Sequence, residues 1–347
     1  MRVLGIETSC DETSVAVLDG DGRVFSNVVS SQLAAHAPYG GVVPEIAARA
    51  HLENLPLTFE QALSEADTDV GEVDIVAATA GPGLIGALLV GLSAAKAVAF
   101  ARGVPFVPVN HLEGHLYSAF LRGGGETALP VEKPFHGLVV SGGHAELVRV
   151  EKDRIVPLAR TRDDAPGEAF DKVARRAGLG YPGGPLVDRI AERGNGSRYP
   201  LPIGRTGDGS NDFSFSGLKT AMLRELQKRG VDGRPVDPGS LDSDMTDLLA
   251  SFQRAIVTAL VDRVEAVHRD EGIRSLAVSG GVAANSELRR TLSEWGSTRR
   301  VPVLLPERAF TTDNAAMIAF AGLLRFRQNG SREPFVATAR SRWPLGS

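Results

Sequence analysis

Cysteine is nearly absent from this chain: Cys10 stands alone, which excludes an internal disulfide framework and any metal site built only from thiolates. Long apolar runs are missing too. The most apolar stretch, Leu84 to Phe100, is interrupted by Lys96 and falls short of the ~20 residues a membrane span needs. Met1 to Cys10 holds one Arg and a short apolar run cut by Glu7, which is not the pattern of a signal peptide. Neither charge sign dominates, with 38 Lys plus Arg against 42 Asp plus Glu, a net of −4. That balance argues against a sticky nucleic-acid coat but leaves room for a local basic groove.

What is present describes an ordinary globule. The charged share is 23% and the hydrophobic share 43%, and at roughly 150 residues per domain the 347 residues suggest two domains. Glycine is abundant, 39 of 347, so tight turns and close backbone approaches are expected. The default expectation is a cytoplasmic protein with no membrane contact.

Val3 to Thr8 reads as a strand, and Val15 to Leu18 as a second. Asp19-Gly20-Asp21-Gly22 then turns the chain as a hairpin toward Arg23 to Ser30. Glu45 to Ala66 has helical composition around Pro56, followed by a strand at Asp74 to Ala80, an Ala-rich helix from Leu84 to Ala101 and a strand at Pro105 to Val109. A second block starts near Lys133, with strands at Gly137 to Val140 and Glu146 to Val150. Helices are expected at Gly167 to Ala177 and Leu186 to Arg193, on either side of a Gly/Pro loop at Gly178 to Pro185. The apolar spacing of Phe252, Ile256, Leu260, Val264 and Val267 predicts a helix over Ser251 to Arg269. Ser275 to Val278 is a strand, and Asn285 to Glu294 and Asp313 to Phe326 are helical. Alternating strands and helices indicate α/β architecture. The run Val-Ser-Gly-Gly at Val140 to Gly143 and again at Val278 to Gly281 is a weak internal echo of the kind a duplicated nucleotide-binding fold would show.

His111 and His115 lie four apart just after a strand. On a helix both imidazoles share one face and reach one cation, although two His need a carboxylate from elsewhere to complete the set. The same spacing occurs by accident on ordinary helix faces. The zinc-protease pattern His-Glu-x-x-His fails here, because Leu112 fills the place of its Glu. Glu113 sits about 100° further round the helix, where it would instead complete a capping box with Asn110.

Ser141-Gly142-Gly143-His144 and Ser279-Gly280-Gly281 offer unobstructed backbone N–H groups, as anion-cradling turns and plain tight turns both do. Neither is a P-loop or a Gly-x-Gly-x-x-Gly fingerprint, which disfavours P-loop enzymes and dinucleotide dehydrogenases. Thr8 to Thr13 is a polar turn that would present Asp11 and Glu12 to phosphate or metal, or simply to water. Cys10 lacks a nearby His to make it a nucleophile. Lys172, Arg175 and Arg176, at i, i+3 and i+4, form either a phosphate-binding face or a solvated one.

In order along the chain these motifs resemble one family. They run from Gly5-Ile6-Glu7-Thr8-Ser9-Cys10-Asp11-Glu12-Thr13 through the His pair, Ser141 to His144 and Gly167-Glu168-Ala169-Phe170-Asp171-Lys172. Tyr181-Pro182-Gly183-Gly184-Pro185, Phe213 to Lys219, Ser279 to Asn285 and Thr312-Asp313-Asn314-Ala315-Ala316-Met317 follow. The chain resembles the TsaD family, bacterial tRNA adenosine threonylcarbamoyltransferases once labelled O-sialoglycoprotein endopeptidases.

The resemblance implies an actin-like, sugar-kinase-like fold of two related α/β domains with a central cleft. Residues 1–130 would form the first, rejoined by the C-terminal helix 313–328, and residues 131–312 the second. It implies an acyltransferase that moves threonylcarbamoyl from threonylcarbamoyl-AMP to the exocyclic amine of an anticodon-loop adenosine, metal-assisted, releasing AMP. Asp313 would be the third metal ligand beside His111 and His115. Donor contacts carry over to Val139, Val140, Ser141, Gly142, Gly143, Asp171, Gly184, Asp188 and Asn285, while Asp11 or Glu12 would steer a proton or the amine. The set suits one divalent ion, iron(II) by the facial-triad rule, with zinc also acceptable. Expected partners are tRNA and TsaB-like and TsaE-like proteins.

The chain departs from the family pattern at Ala145-Glu146, at Thr311 and in the Gly-rich segment from Gly204 to Asn211. The rival readings are an actin-fold small-molecule kinase and a non-enzymatic nucleotide-binding scaffold. The kinase does not explain two His plus Asp313, and in the scaffold the metal would be only structural.

Overall fold

The computed structural model describes residues 1–152, 154–204, 206, 209–330 and 335–346, so three positions of the Gly204 to Asn211 segment lie outside the described residues. The chain divides into two compact units. The first joins Met1–Glu132 to Pro306–Ser347, and the second is Lys133–Leu305.

In the first unit, β1 (Arg2–Glu7), β2 (Glu12–Asp19), β3 (Val24–Ser31), β4 (Ile75–Gly81) and β5 (Phe106–Asn110) form one sheet in the order β3-β2-β1-β4-β5. β1 runs antiparallel to β2 and β2 to β3, while β1–β4 and β4–β5 are parallel. Period-two alternation gives each strand two faces. Leu4, Ile6, Val15 and Val17 pack with Leu55, Ala62, Leu92 and Ala95 of the helices Pro44–Glu65 and Ile85–Arg102. The opposite face meets the helix Ala315–Asn329 at Gly5, where a Cβ would stand 2.4 Å from the Ala315 carbonyl oxygen and 2.8 Å from Ala319 Cβ. Only glycine admits a helix backbone so close to a central strand.

The second unit repeats the plan. β6 (Phe135–Val140), β7 (Ala145–Val150), β8 (Ile155–Arg160), β9 (Leu276–Ser279) and β10 (Val303–Leu304) are ordered β10-β9-β6-β7-β8. The first three pair antiparallel, and β9 and β10 join in parallel. Matched strand for strand, β6 is the counterpart of β1 and β9 that of β4. The Val-Ser-Gly-Gly echo therefore falls on non-equivalent strands, so it is not the trace of the duplication; the pairing pattern is.

Element boundaries differ from expectation where long-range bonds decide them. The helix expected from Leu186 begins at Gly183, whose N–H is taken up by Asp171 Oδ1 at 2.7 Å. The helix expected from Ser251 begins at Ser243, capped by Asp242. A helix over Ser216–Lys228 and the strand β8 had no periodic signature strong enough to announce them. The apolar stretch expected to fall short of a span extends into a helix of 18 residues, Ile85–Arg102, which by length and composition alone could cross a membrane. Its Ala87, Leu88, Leu92, Ala95 and Ala99 nevertheless lie buried in the first unit.

Candidate metal centre

Asn110 ends β5 and caps the helix His111–Ser118 by accepting the Leu112 N–H at 2.9 Å. Leu112, rather than Glu113, supplies the donor to the cap. Glu113 Oε2 stands 4.0 Å from Arg325 Nη1. Asn110 also donates through Nδ2 to the Trp343 carbonyl at 3.0 Å, which ties the C-terminal segment to the start of this helix. Gly114 lets the helix lie close on Ala315–Asn329, since a Cβ there would be 2.7 Å from Ile318 Cδ1.

That approach brings His111 and His115 to Asp313, which directly precedes Asn314, the cap of Ala315–Asn329. His115 Nε2 is 3.0 Å and His111 Nε2 3.4 Å from Asp313 Oδ1. One ligand atom from each of the three lies within 4.8 Å of the others, the arrangement a single ion requires. Ser14 Oγ and Asn27 Oδ1 accept the Ala315 and Ala316 N–H groups at 2.9 and 3.1 Å and so hold this helix start against β2 and β3.

Glu7, within the Gly5 to Thr13 motif, supplies a part that the motif itself does not announce. It is completely buried, and its Oε2 sits 2.9 Å from His111 Nδ1. Thr79 Oγ1 donates to the same oxygen at 2.6 Å, and the Ser9 N–H donates to Oε1. A carboxylate that receives the Nδ1 proton fixes the tautomer and aims the Nε2 lone pair toward Asp313 and His115, the usual support of a metal-binding imidazole. Burial opposes ionisation of Glu7, yet the charge and hydrogen bond of His111 hold its carboxyl below the usual range. Burial likewise opposes charge on His111, and the Asp313 and Glu7 carboxylates overcome it, raising the imidazole well above its ordinary value. Asp313 is held well below the carboxylate range, against its burial, by His111 and His115.

The donor set fits a divalent cation. Neither ring nitrogen of the fully buried His115 makes a well-directed hydrogen bond among the described residues. Orphaned buried nitrogens are costly, and a cation would satisfy Nε2, the one that faces Asp313.

Asp11 is buried beside Glu12, whose carboxyl is pushed up to about 10, first by burial and then by the negative charges of Asp313 and Asp11. Burial and the neighbouring Asp11 push the Cys10 thiol far upward, so it is no thiolate nucleophile. In the second unit, Val139 and Val140 are buried strand residues of β6, and Gly142 and Gly143 are exposed in the turn that follows. Asp188 accepts from Ser286 N–H at 3.0 Å, from Ser286 Oγ at 2.7 Å and from Asn285 Nδ2 at 3.0 Å. Asn285 Oδ1 caps the helix Ser286–Arg299 through the Leu288 N–H. Asp171 reaches Gly183, beside Gly184. Lys172 is taken up by Asp164 at 2.7 Å and Glu168 at 2.6 Å, which removes it from a free phosphate-binding face.

The profile of the tRNA N6-adenosine threonylcarbamoyltransferase family, TsaD, matches residues 23–320. The chain belongs to the TsaD family. A relative of that name from Pelobacter propionicus is 51% identical over 93% of this chain and 91% of its own. Another from Thermosipho africanus is 46% identical over 96% and 97%. Among solved structures, full-length HypF superposes with a TM-score of 0.58 at 12% identity, covering 95% of this chain and 56% of that one. Component A of the Acidaminococcus fermentans (R)-2-hydroxyglutaryl-CoA dehydratase gives 0.51 at 13% identity, covering 94% and 98%. At such identity these two speak for fold alone. The fold is the actin-like, sugar-kinase-like α/β type, here two related domains of one topology.

Proposed function

We propose that this chain transfers the threonylcarbamoyl group of threonylcarbamoyl-AMP to the exocyclic amine of an anticodon-loop adenosine in tRNA, with a divalent ion held by His111, His115 and Asp313. Membership of the TsaD family makes the chain a tRNA-modifying transferase. The observation that carries the metal reading is the buried two-His, one-carboxylate set with its His tautomer fixed by Glu7. Iron(II) is the favoured ion and zinc the second choice. Bound there, the ion would act as a Lewis acid and template for donor oxygens.

The donor is a mixed carbamic–phosphoric anhydride. The adenosine amine forms a new C–N bond at the carbamoyl carbon, the bond from that carbon to the phosphate oxygen breaks, and AMP leaves. The amine also loses a proton. An exocyclic adenine amine is a weak nucleophile, so positioning carries most of the catalysis. Asp11 or Glu12, neighbours at the end of the turn after β1, takes the amine proton and orients the amine. The backbone of Val139 to Gly143, with Asp171, Gly184, Asp188 and Asn285, binds the adenylate. Asp188 and Asn285 do so as a mutually bonded pair that holds the start of Ser286–Arg299.

A TsaB-like partner would dock on the helices Pro44–Glu65 and Ile85–Arg102, which leave Leu52, Leu57, Ile85 and Leu89 exposed. A TsaE-like ATPase would complete the assembly, in the cytoplasm. The test is to incubate the chain and these partners with threonylcarbamoyl-AMP and tRNA and to digest the tRNA for mass spectrometry. Threonylcarbamoyladenosine with equimolar AMP is expected. Transfer of the ATP γ-phosphate to a small acceptor, with no modified nucleoside, would establish the kinase reading instead.

A further inference from the structure

The turn bearing Asp11 and Glu12 is tied to a line of buried polar side chains that the reaction above does not use. His51 is buried in the helix Pro44–Glu65, and its Nε2 lies 3.0 Å from the Cys10 carbonyl oxygen. A carbonyl only accepts, so Nε2 carries the proton and Nδ1 is left as an acceptor. Thr13 Oγ1 donates to Nδ1 at 2.8 Å and Gln32 Nε2 at 3.2 Å. Gln32 Oε1 in turn receives the proton of His36 Nε2 at 3.1 Å, and His36 Nδ1 accepts the Val43 N–H at 3.3 Å. The Gln32 backbone N–H donates to the Asp11 carbonyl at 3.0 Å.

Every bond in this line has one direction: Val43 to His36, His36 to Gln32, Gln32 to His51, and His51 to Cys10. One end of the line, His51, grips the Cys10 carbonyl, and Gln32 in its middle grips the next carbonyl, that of Asp11, through its backbone N–H. An exposed polar turn has several backbone conformations within thermal reach; this one is restrained from behind by side chains whose own roles are fixed.

We infer that His51 is a positioning residue, whose single neutral tautomer, set by Gln32 and Thr13, holds the Cys10–Asp11 backbone so that the Asp11 and Glu12 carboxyls meet the reacting amine. The inference rests on the proposed role of that turn. It makes turnover the main readout of His51, whose own bonds end at the Cys10 carbonyl, while the neighbouring Ser9 meets His111 Nδ1 through Oγ at 3.1 Å.

The experiment uses the full chain with its partner proteins, threonylcarbamoyl-AMP and tRNA. His51→Phe keeps the bulk and deletes both bonds, Thr13→Val removes one donor at near-constant volume, and His51→Gln restores one donor and one acceptor. Expected for His51→Phe is a loss in kcat of about tenfold to a hundredfold, the scale of a small misplacement near the chemistry. Thr13→Val should lose less, KM for the donor should hold in both, and His51→Gln should recover most of the rate. Cobalt(II) affinity at the metal centre should change far less than kcat in all three, and ¹⁵N spectra of the unaltered chain should place the His51 proton on Nε2. Unchanged kcat in His51→Phe and Thr13→Val overturns the inference, as does His51→Gln no better than His51→Phe, or a proton on Nδ1. Asp11→Ala and Glu12→Ala separate the two layers. If both keep full turnover, the role of the turn fails and the inference with it; if they lose turnover while His51→Phe does not, only the inference fails.

Discussion

Glu7 Oε2 and His111 Nδ1 stand 2.9 Å apart in the interior of the first unit, joined by a hydrogen bond between residues 104 positions apart in sequence. Both groups are almost free of solvent. The bond leaves Nε2 of His111 facing Asp313, so the orientation of this proposed ligand is decided on its far side.

Replacing Glu7 by Gln keeps the shape but weakens the acceptor. Metal affinity should fall about 10–100-fold, the usual cost of losing such a support. Titration with cobalt(II), followed by the visible bands of the bound ion, measures it. Affinity equal to that of the unaltered chain would show that Glu7 does not orient His111.

His111→Ala together with His115→Ala removes two of three ligands. The purified chain should carry about one divalent ion, as one three-residue centre allows, and the double variant should carry none. Elemental analysis before and after dialysis against chelator gives the count. Metal retained in the double variant would place the ion elsewhere.

Gly5 faces the Ala315 carbonyl with no room for a methyl group. Gly5→Ala should destabilise the chain by about 1–3 kcal/mol through forced displacement of the helix that carries Asp313 at its start. Chemical denaturation reads the loss, and an unchanged midpoint would contradict the close approach. Metal affinity should drop in parallel, since strand and ligand move together.

His51 is held below the ordinary imidazole range by burial, against the pull of the Cys10 carbonyl and of the Glu7 and Asp11 charges, with His36 adding to the depression. The folded chain therefore binds the proton less readily than the unfolded chain does. Stability contributed this way is complete above pH ~6.5, the unfolded value, and declines as pH falls from there toward the lower folded one. Stability measured between pH 7.5 and 5, roughly the window around that value, should fall for the unaltered chain and be flatter for His51→Gln. Identical slopes would mean that His51 does not titrate with unfolding.

Much of this architecture is legible in the sequence because it is written in neighbours. The His pair, the Asn110 cap and the Asp-Gly hairpin are local patterns with local causes, and they sit where spacing puts them. Asp313 could be reached only through the family resemblance, since nothing in its own surroundings marks it as the partner of a helix two hundred residues earlier. Glu7 and Thr79 in strands and Ser9 in a turn escaped a role because a polar residue looks the same in sequence whether it meets water or a buried imidazole. The line from Val43 to Cys10 was hidden for the same reason: Gln32 and His36 share one short helical turn at Leu33–His36, but His51 lies on another helix, and only packing aligns them. Of the two readings of the Lys172 face, spacing alone could not choose, because the carboxylates that pair with Lys172 include Asp164, outside its own helix.

The most direct test of the central claim is mass spectrometry of tRNA nucleosides from cells depleted of this protein and then supplied either with the unaltered chain or with His111→Ala, His115→Ala. Depletion should erase threonylcarbamoyladenosine, the unaltered chain should restore it, and the double variant should not. Full restoration by the double variant would contradict a metal centre at these residues, and threonylcarbamoyladenosine undiminished by depletion would contradict the assigned reaction itself.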